Sequence, residues 1–168
     1  MMITTALATL LLAQLNDAPA GPLPTGTWIN TEKPISWESR KGKVTLVHFW
    51  TFACSNCKAN LPAYNNFAKE FEKRGVMVIG IHTPELEFEK DEANVRKAVE
   101  KQKITYPVAI DAKGEIWNAW KQQVWPTIYV IDKKGTVRGG WIGELEYGKG
   151  GGNAFIRKLV ERCLAEKS

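Results

Sequence analysis

His48-Phe49-Trp50-Thr51-Phe52-Ala53-Cys54-Ser55-Asn56-Cys57 joins two kinds of pattern. Up to Trp50 the chain is a mostly apolar run, Val44–Trp50, interrupted only by Thr45 and His48. Such a run suits a strand covered on both faces. Beyond Cys54 the pattern turns helical, with Leu61, Tyr64, Ala68 and Phe71 on one stripe of Ser55–Lys73. A Cys-x-x-Cys at this junction puts the first cysteine at a helix N-terminus. Unpaired N–H groups and the helix dipole there favour a thiolate. The second cysteine lies one turn on, close enough to close a disulfide. The dipole supplies about 0.3–1 kcal/mol, less than the roughly 1.4 kcal/mol of one pKa unit. Reactive thiols of this kind lie about 1–5 units below the free value, so direct hydrogen bonds to Cys54 must add to the dipole.

Outward from this junction, strands and helices alternate. Val76–Ile81 is β-branched and apolar; Asp91–Gln102 is helical, with Val95, Ala98, Val99 and Gln102 on one face. Pro107–Ile110 reads as a short strand and Glu115–Lys121 as a short helix. Thr127–Ile131 and Thr136–Ile142 flank the turn Asp132–Gly135, a hairpin signal. Asn153–Lys167 is a final amphipathic helix, and Thr27–Asn30 with Ile35–Glu38 suggests an opening hairpin. The sum is an α/β chain with a mixed sheet flanked by helices. Gly148–Gly152 is glycine-rich but lacks the Gly-Lys-Ser/Thr of a phosphate-cradling loop.

The 168 residues fit one domain, and 44% hydrophobic with 24% charged residues is an ordinary globular balance. Three cysteines are too few for a disulfide scaffold. The net charge of +5 is spread over Lys/Glu mixtures, with short basic runs at Arg40–Lys43 and Lys133-Lys134. No basic stripe interleaves with exposed aromatics, so nucleic acid is not an expected partner. A zinc site needs four ligands. Beyond the Cys-x-x-Cys, His48, His82 and Cys163 are dispersed rather than paired, so neither metal nor other cofactor is expected.

Residues 1–20 differ in kind. Ile3–Leu15 is apolar and has the length of a secretory h-region, about 7–15 residues. It falls short of the roughly 20 residues of a membrane span. Ala18-Pro19-Ala20 offers small residues for cleavage, although Met1-Met2 carries no Lys or Arg. The expectation is a signal peptide over 1–20, a single domain over 21–168, and no stable membrane insertion after cleavage.

The segment His48–Cys57 resembles the active-site segment of thioredoxin-like proteins. Pro62, five residues after Cys57, matches the family's helix proline, and Trp125-Pro126-Thr127 matches its cis-proline segment. Gly80-Ile81-His82-Thr83-Pro84-Glu85 and Tyr106–Asp111 are similar to the extracytoplasmic TlpA/ResA-type branch, and most similar to the soluble thioredoxin domain of DipZ-type proteins. The resemblance covers about residues 38–165. It implies a thioredoxin-like fold with an N-terminal β extension and an inserted strand–helix between Val76–Ile81 and Tyr106. Two positions depart from the pattern. His48 stands where many thioredoxins carry a buried Asp, and Asn60 where ResA-type proteins carry a Glu.

The resemblance implies a thiol–disulfide oxidoreductase outside the cytoplasm, in which Cys54 attacks and Cys57 resolves. Its partners would be protein thiols and disulfides, with electrons from a membrane-bound donor. Pro126 is expected to be cis and, with the Trp125 backbone, to position the partner chain. Trp50 and Trp125 are expected to form an apolar rim around the disulfide, while Trp28, Trp37, Trp117, Trp120 and Trp141 pack in the core or on the sheet. His48 has two readings, a proton relay to Cys57 or a neutral core histidine. Glu85 either approaches the disulfide from a strand end or is an exposed loop glutamate. Cys163 reads as buried and inert. Ser55-Asn56, uncharged and polar, does not fix the direction of electron transfer.

Two other classes remain open. Thr51-Phe52-Ala53-Cys54 is the Thr-x-x-Cys half of a peroxiredoxin pattern, but Val47 stands where that pattern has proline. A Cys-x-x-Cys pair also suits Cu(I) in a copper-binding or chaperone-like module, yet no Met or His cluster surrounds it.

Overall fold

The computed structural model describes residues 16–148 and 150–167. In chain order the elements are β1 (Trp28–Ile29), α1 (Trp37–Arg40), β2 (Thr45–Trp50), α2 (Ser55–Phe71), β3 (Met77–His82), α3 (Glu92–Lys101), β4 (Val108–Ile110), α4 (Glu115–Ala119), β5 (Thr127–Ile131), β6 (Val137–Ile142) and α5 (Gly152–Ala165). One six-stranded sheet runs in the order β1-β4-β3-β2-β5-β6. β2, β3 and β4 are parallel neighbours, while β5 pairs antiparallel with β2, β6 with β5, and β1 with β4. The mixed sheet flanked by helices is that of a thioredoxin-like α/β protein.

β2 sits in the middle, so both of its faces are covered and all six residues are buried. Its alternation feeds two cores. Leu46 and Trp50 meet Leu61, Tyr64, Phe67 and Phe71 of α2 and Ile156, Leu159 and Val160 of α5. Val47 and Phe49 meet Ile79, Ile81, Tyr129 and Trp120 on the opposite face. α2 thus presents one apolar stripe to the sheet, and its first residues emerge where β2 ends. Pro62 lies inside α2, exposed, where it offers no N–H to the carbonyl four residues back.

Two expectations are corrected. No opening hairpin forms. The Ser36 hydroxyl accepts the Ser39 N–H at 3.3 Å and starts the one-turn helix α1, as a Ser N-cap does. Asn30 meanwhile donates to the Ile104 and Tyr106 carbonyls, at 2.8 and 3.1 Å, anchoring the end of β1 on the β4 side. Between β3 and Tyr106 the chain holds a 3₁₀ turn, Glu87–Lys90, and α3, but no strand. The next strand is β4, after Tyr106.

The apolar segment Ile3–Leu15 lies outside the described residues. The small residues after it lie along β6: Asp17 N–H donates to the Val137 carbonyl (2.7 Å), Val137 N–H to that of Ala18 (2.9 Å), and Ala20 N–H to that of Gly135 (2.9 Å). Among the described residues no helix is long and apolar enough to cross a membrane.

Candidate active site

β2 and β5 are antiparallel, with Phe49 opposite Thr127. The chain leaves β2 toward Cys54 at the sheet edge where Pro126 leads into β5. The Trp125-Pro126 peptide is cis. Two segments separated by about seventy residues therefore share one end of the sheet. Both Cys54 and Trp125 pack, half-buried, against the core that α2 covers.

Cys54 is the N-cap of α2. Its backbone is extended (φ −69°, ψ 118°), and its sulfur accepts the backbone N–H of Cys57 at 3.2 Å. Its carbonyl accepts the Lys58 N–H at 3.2 Å. The first turn of α2 holds no acidic side chain to oppose an anion there. Both cysteines are free thiols. Cys57 is fully buried, and burial, the hydrogen bond with Cys54 and the charges of Cys54 and Glu89 push its thiol well above the ordinary range, against a backbone hydrogen bond from Thr51. The pair is therefore asymmetric: one sulfur is reachable and capped by N–H, the other is enclosed and protonated. Ser55 and Asn56 between them are exposed, 3.4 Å apart through Ser55 Oγ and Asn56 Oδ1.

The carboxylate of the site is Glu89. It is fully buried on the 3₁₀ turn after β3. Oε1 accepts the Thr51 hydroxyl and the Ala53 N–H (2.8 Å). Oε2 accepts the N–H groups of Glu85 (3.0 Å) and Leu86 (2.9 Å). Burial pushes its pKa up, but these four hydrogen bonds outweigh it and hold the carboxyl below its usual range. Sequence reasoning missed it. Glu89 stands in the run Glu85–Lys90, which is otherwise charged and exposed or apolar and exposed. The one local signal is the Leu86-x-x-Glu89 spacing of half a capping box.

Glu85 itself is exposed and contributes only its backbone N–H to Glu89; of its two readings it is the loop glutamate, its side chain turned to water. Trp50 is corrected. It is the last residue of β2, is completely buried, and is core rather than rim. Trp125 is half-buried and stacks on Trp117, with ring centroids 4.0 Å apart and planes at 28°. The exposed apolar side chains at this end are Leu86 and Phe88; Phe88 lies 5.6 Å from Phe52. On another side, a groove of about 410 Å³ runs past Asn56, Trp141, Gly143 and Tyr147.

His48 lies on the α2 face of β2, 4.3 Å ring to ring from Tyr64. Nε2 pairs with the Tyr106 hydroxyl at 3.0 Å. Burial pushes its pKa down to about 3. It is the neutral core histidine of the two readings. Asn60 ties α2 to the chain after β6. Nδ2 donates to the Tyr64 hydroxyl (3.1 Å) and the Gly143 carbonyl (3.0 Å), and Oδ1 accepts the Leu145 N–H (2.8 Å). Cys163 is buried in α5, with burial raising its thiol to about 11. Among the described residues no group of three or more His, Cys, Asp or Glu side chains is arranged to hold a metal ion.

The AhpC/TSA family model matches residues 16–139. Protein DipZ of Mycobacterium tuberculosis is 39% identical over 155 residues, covering 88% of this chain and 22% of DipZ. The chain thus spans about a fifth of that relative's length. The thiol-disulfide oxidoreductase YkuV of Bacillus subtilis is 31% identical over 140 residues, covering 83% of this chain and 88% of YkuV. The solution structure of a thioredoxin-like protein in its oxidized form superposes with a TM-score of 0.71 at 30% identity, covering 88% of this chain and 97% of that one.

Proposed function

The chain belongs to the AhpC/TSA family, and from that premise we propose that it is a thiol–disulfide oxidoreductase acting on protein cysteines. It is thioredoxin-like and of the TlpA/ResA type. The observation that carries the proposal is the asymmetry of the cysteine pair: a half-buried Cys54 sulfur capped by the Cys57 N–H at 3.2 Å, and a fully buried Cys57 thiol one turn on.

In the reductive direction the Cys54 thiolate attacks one sulfur of a partner disulfide. A Cys54–partner disulfide forms and the other partner sulfur leaves as a thiolate. Cys57 then loses its proton and attacks Cys54 Sγ. The partner's second sulfur leaves, and the products are a dithiol partner and the Cys54–Cys57 disulfide. Two electrons pass to the partner, and a dithiol donor must return them. We assign the backbone of Trp125 and Pro126 to the partner chain, which pairs there as an extended segment. The donor is proposed to be membrane-bound and the site of action the cell envelope, with 1–20 as leader and 21–168 as the mature domain. A peroxide-reducing role draws no support from Thr51, because its hydroxyl is committed to Glu89.

Redox titration of tryptophan fluorescence in thiol buffers tests the proposal. A reversible two-electron transition that disappears in Cys54→Ser is expected. A potential near or below about −250 mV supports a reductase, and one near about −120 mV makes the protein an oxidant. No transition, or one that survives Cys54→Ser, excludes the redox function.

A further inference from the structure

We propose that Glu89 is the positioning residue of the dithiol site: its carboxylate locks the loop entering Cys54 to the loop leaving β3. The inference rests on Cys54–Cys57 being the redox pair. It concerns a residue that is neither in the motif nor on α2.

The argument is one of matching donors to acceptors. An ionised carboxylate offers two oxygens and four good acceptor sites, and no donor. All four are used, two by each loop. Thr51 and Ala53 bind Oε1; Glu85 and Leu86 bind Oε2. Three of the four donors are backbone N–H groups, which cannot turn around to accept. A buried carboxylate is costly unless such bonds compensate it, and among the described residues no lysine or arginine pairs with Glu89. The anion accepts all four with neither oxygen donating. A glutamine would point an amide hydrogen at the Ala53 N–H on one side or at the Glu85 and Leu86 N–H groups on the other, and a protonated acid would keep the set only by turning the Thr51 hydroxyl into an acceptor.

The clamp acts at two places. Ala53 directly precedes Cys54, so holding its N–H fixes the direction in which the chain enters the N-cap of α2. Glu85 and Leu86 open the loop that carries the exposed Phe88 beside Phe52, 5.6 Å between ring centroids. The relation between the reactive sulfur and this apolar wall is therefore set by a single side chain. Glu89 also adds a fixed negative charge near Cys57. The titratable groups that face this pair are Cys54 and Tyr64 from α2 and His82 from β3. His82 is neutral near pH 7, since burial lowers its pKa to about 4 against the pull of Glu89. Glu89 is thus the one permanent charge in the cluster.

Glu89→Gln in the full chain tests this. Amide hydrogen exchange at Ala53, Glu85 and Leu86 is expected to rise about tenfold or more, as charge-assisted bonds are lost, while exchange in the central strand β2 stays as it was. In a Cys54→Ser background, alkylation of Cys57 by iodoacetamide reads the charge. Its pH profile is expected to move to lower pH, raising the rate at pH 8 at least about threefold. Loss of enclosure alone would move the profile as far in Thr51→Val, which keeps the charge, so a larger shift in Glu89→Gln than in Thr51→Val reads the charge. If Glu89→Gln does not fold, Thr51→Val takes one donor and leaves the charge. Exchange at Ala53 then rises, and Thr51→Ser, which keeps the hydroxyl, brings it back. A normal Cys54–Cys57 couple in the unsubstituted protein, with exchange and alkylation profile unchanged in Glu89→Gln, overturns the inference alone. So does Ala53 exchange that Thr51→Val leaves unmoved. Absence of a reversible couple in the unsubstituted protein overturns both the function and this inference.

Discussion

Gly80 of β3 lies against His48 of β2 so closely that a Cβ on it would stand 2.9 Å from His48 Nε2 and 3.2 Å from Trp50 Nε1. Both neighbours are fully buried and hemmed in by α2 and the sheet, so neither has room to withdraw. Gly80→Ala is expected to lose about 1–3 kcal/mol of stability through overpacking, measured by urea unfolding. Gly26→Ala is the contrast, because nothing lies within 4 Å of that position. Equal midpoints for the two variants would show that the space beside His48 is larger than described.

On the proposed function, Cys54 and Cys57 divide the chemistry. With Cys57 replaced by Ser, a mixed disulfide formed by Cys54 has no resolving sulfur, so covalent adducts with a disulfide-bonded substrate accumulate. With Cys54 replaced by Ser, the remaining sulfur is fully buried, and adducts drop at least about tenfold. Non-reducing electrophoresis after acid quench reads both. Equal trapping by the two variants would reverse or erase the assignment.

The two histidines make the protein acid-sensitive, and the sign follows from their environment. Burial lowers the folded-state pKa of His48 to about 3 and of His82 to about 4, whereas an unfolded histidine titrates near about 6.5. Between those values the unfolded chain binds more protons than the folded one. Stability is therefore complete above about pH 6.5 and falls as the pH drops toward 4, by up to about 1.4 kcal/mol per pH unit for each histidine. His82 has no hydrogen-bond partner for either ring nitrogen among the described residues and stacks on Phe52, centroids 5.4 Å apart. His82→Phe keeps that stack and removes the titrating group. It is expected to flatten the slope of unfolding free energy between pH 6.5 and 4.5 by about half. An unchanged slope would mean that His82 is charged or hydrated in the folded state.

Asn60 ties α2 to the chain after β6 through three hydrogen bonds. Asn60→Ala leaves the Leu145 N–H and the Gly143 carbonyl without it, at an expected cost of about 2–4 kcal/mol. Asn60→Asp at pH 7 should cost at least as much, since a buried carboxylate then faces the Gly143 carbonyl. Chemical denaturation at pH 7 checks both, and a loss under about 0.5 kcal/mol in Asn60→Ala would remove the assigned role.

Much of the architecture was readable because its signals are local. The apolar run ending at Trp50, the helical stripe after Cys54 and the turn Asp132–Gly135 each lie within a few residues, and the structure places strands and helices there. The cysteine pair was legible for the same reason, as a short motif in register with its strand and helix, whereas the cis bond at Pro126 was expected only from the family resemblance. The opening hairpin failed because Ser36, a better helix cap than strand residue, won locally, while Asn30 bonded to residues more than seventy positions away.

The sequence by itself determined where the two sulfurs of the Cys-x-x-Cys stand: a strand, a helix start and Cys-x-x-Cys spacing are properties of neighbouring residues. Tertiary structure alone decided which groups surround them. Glu89 reaches Thr51 across 38 positions and Asn60 reaches Leu145 across 85. Trp50 is core, Glu85 faces water and His48 is neutral because burial is imposed by distant elements stacking on the sheet. Desolvation and hydrogen-bond partnership depend on that enclosure, and no local pattern in the chain encodes it.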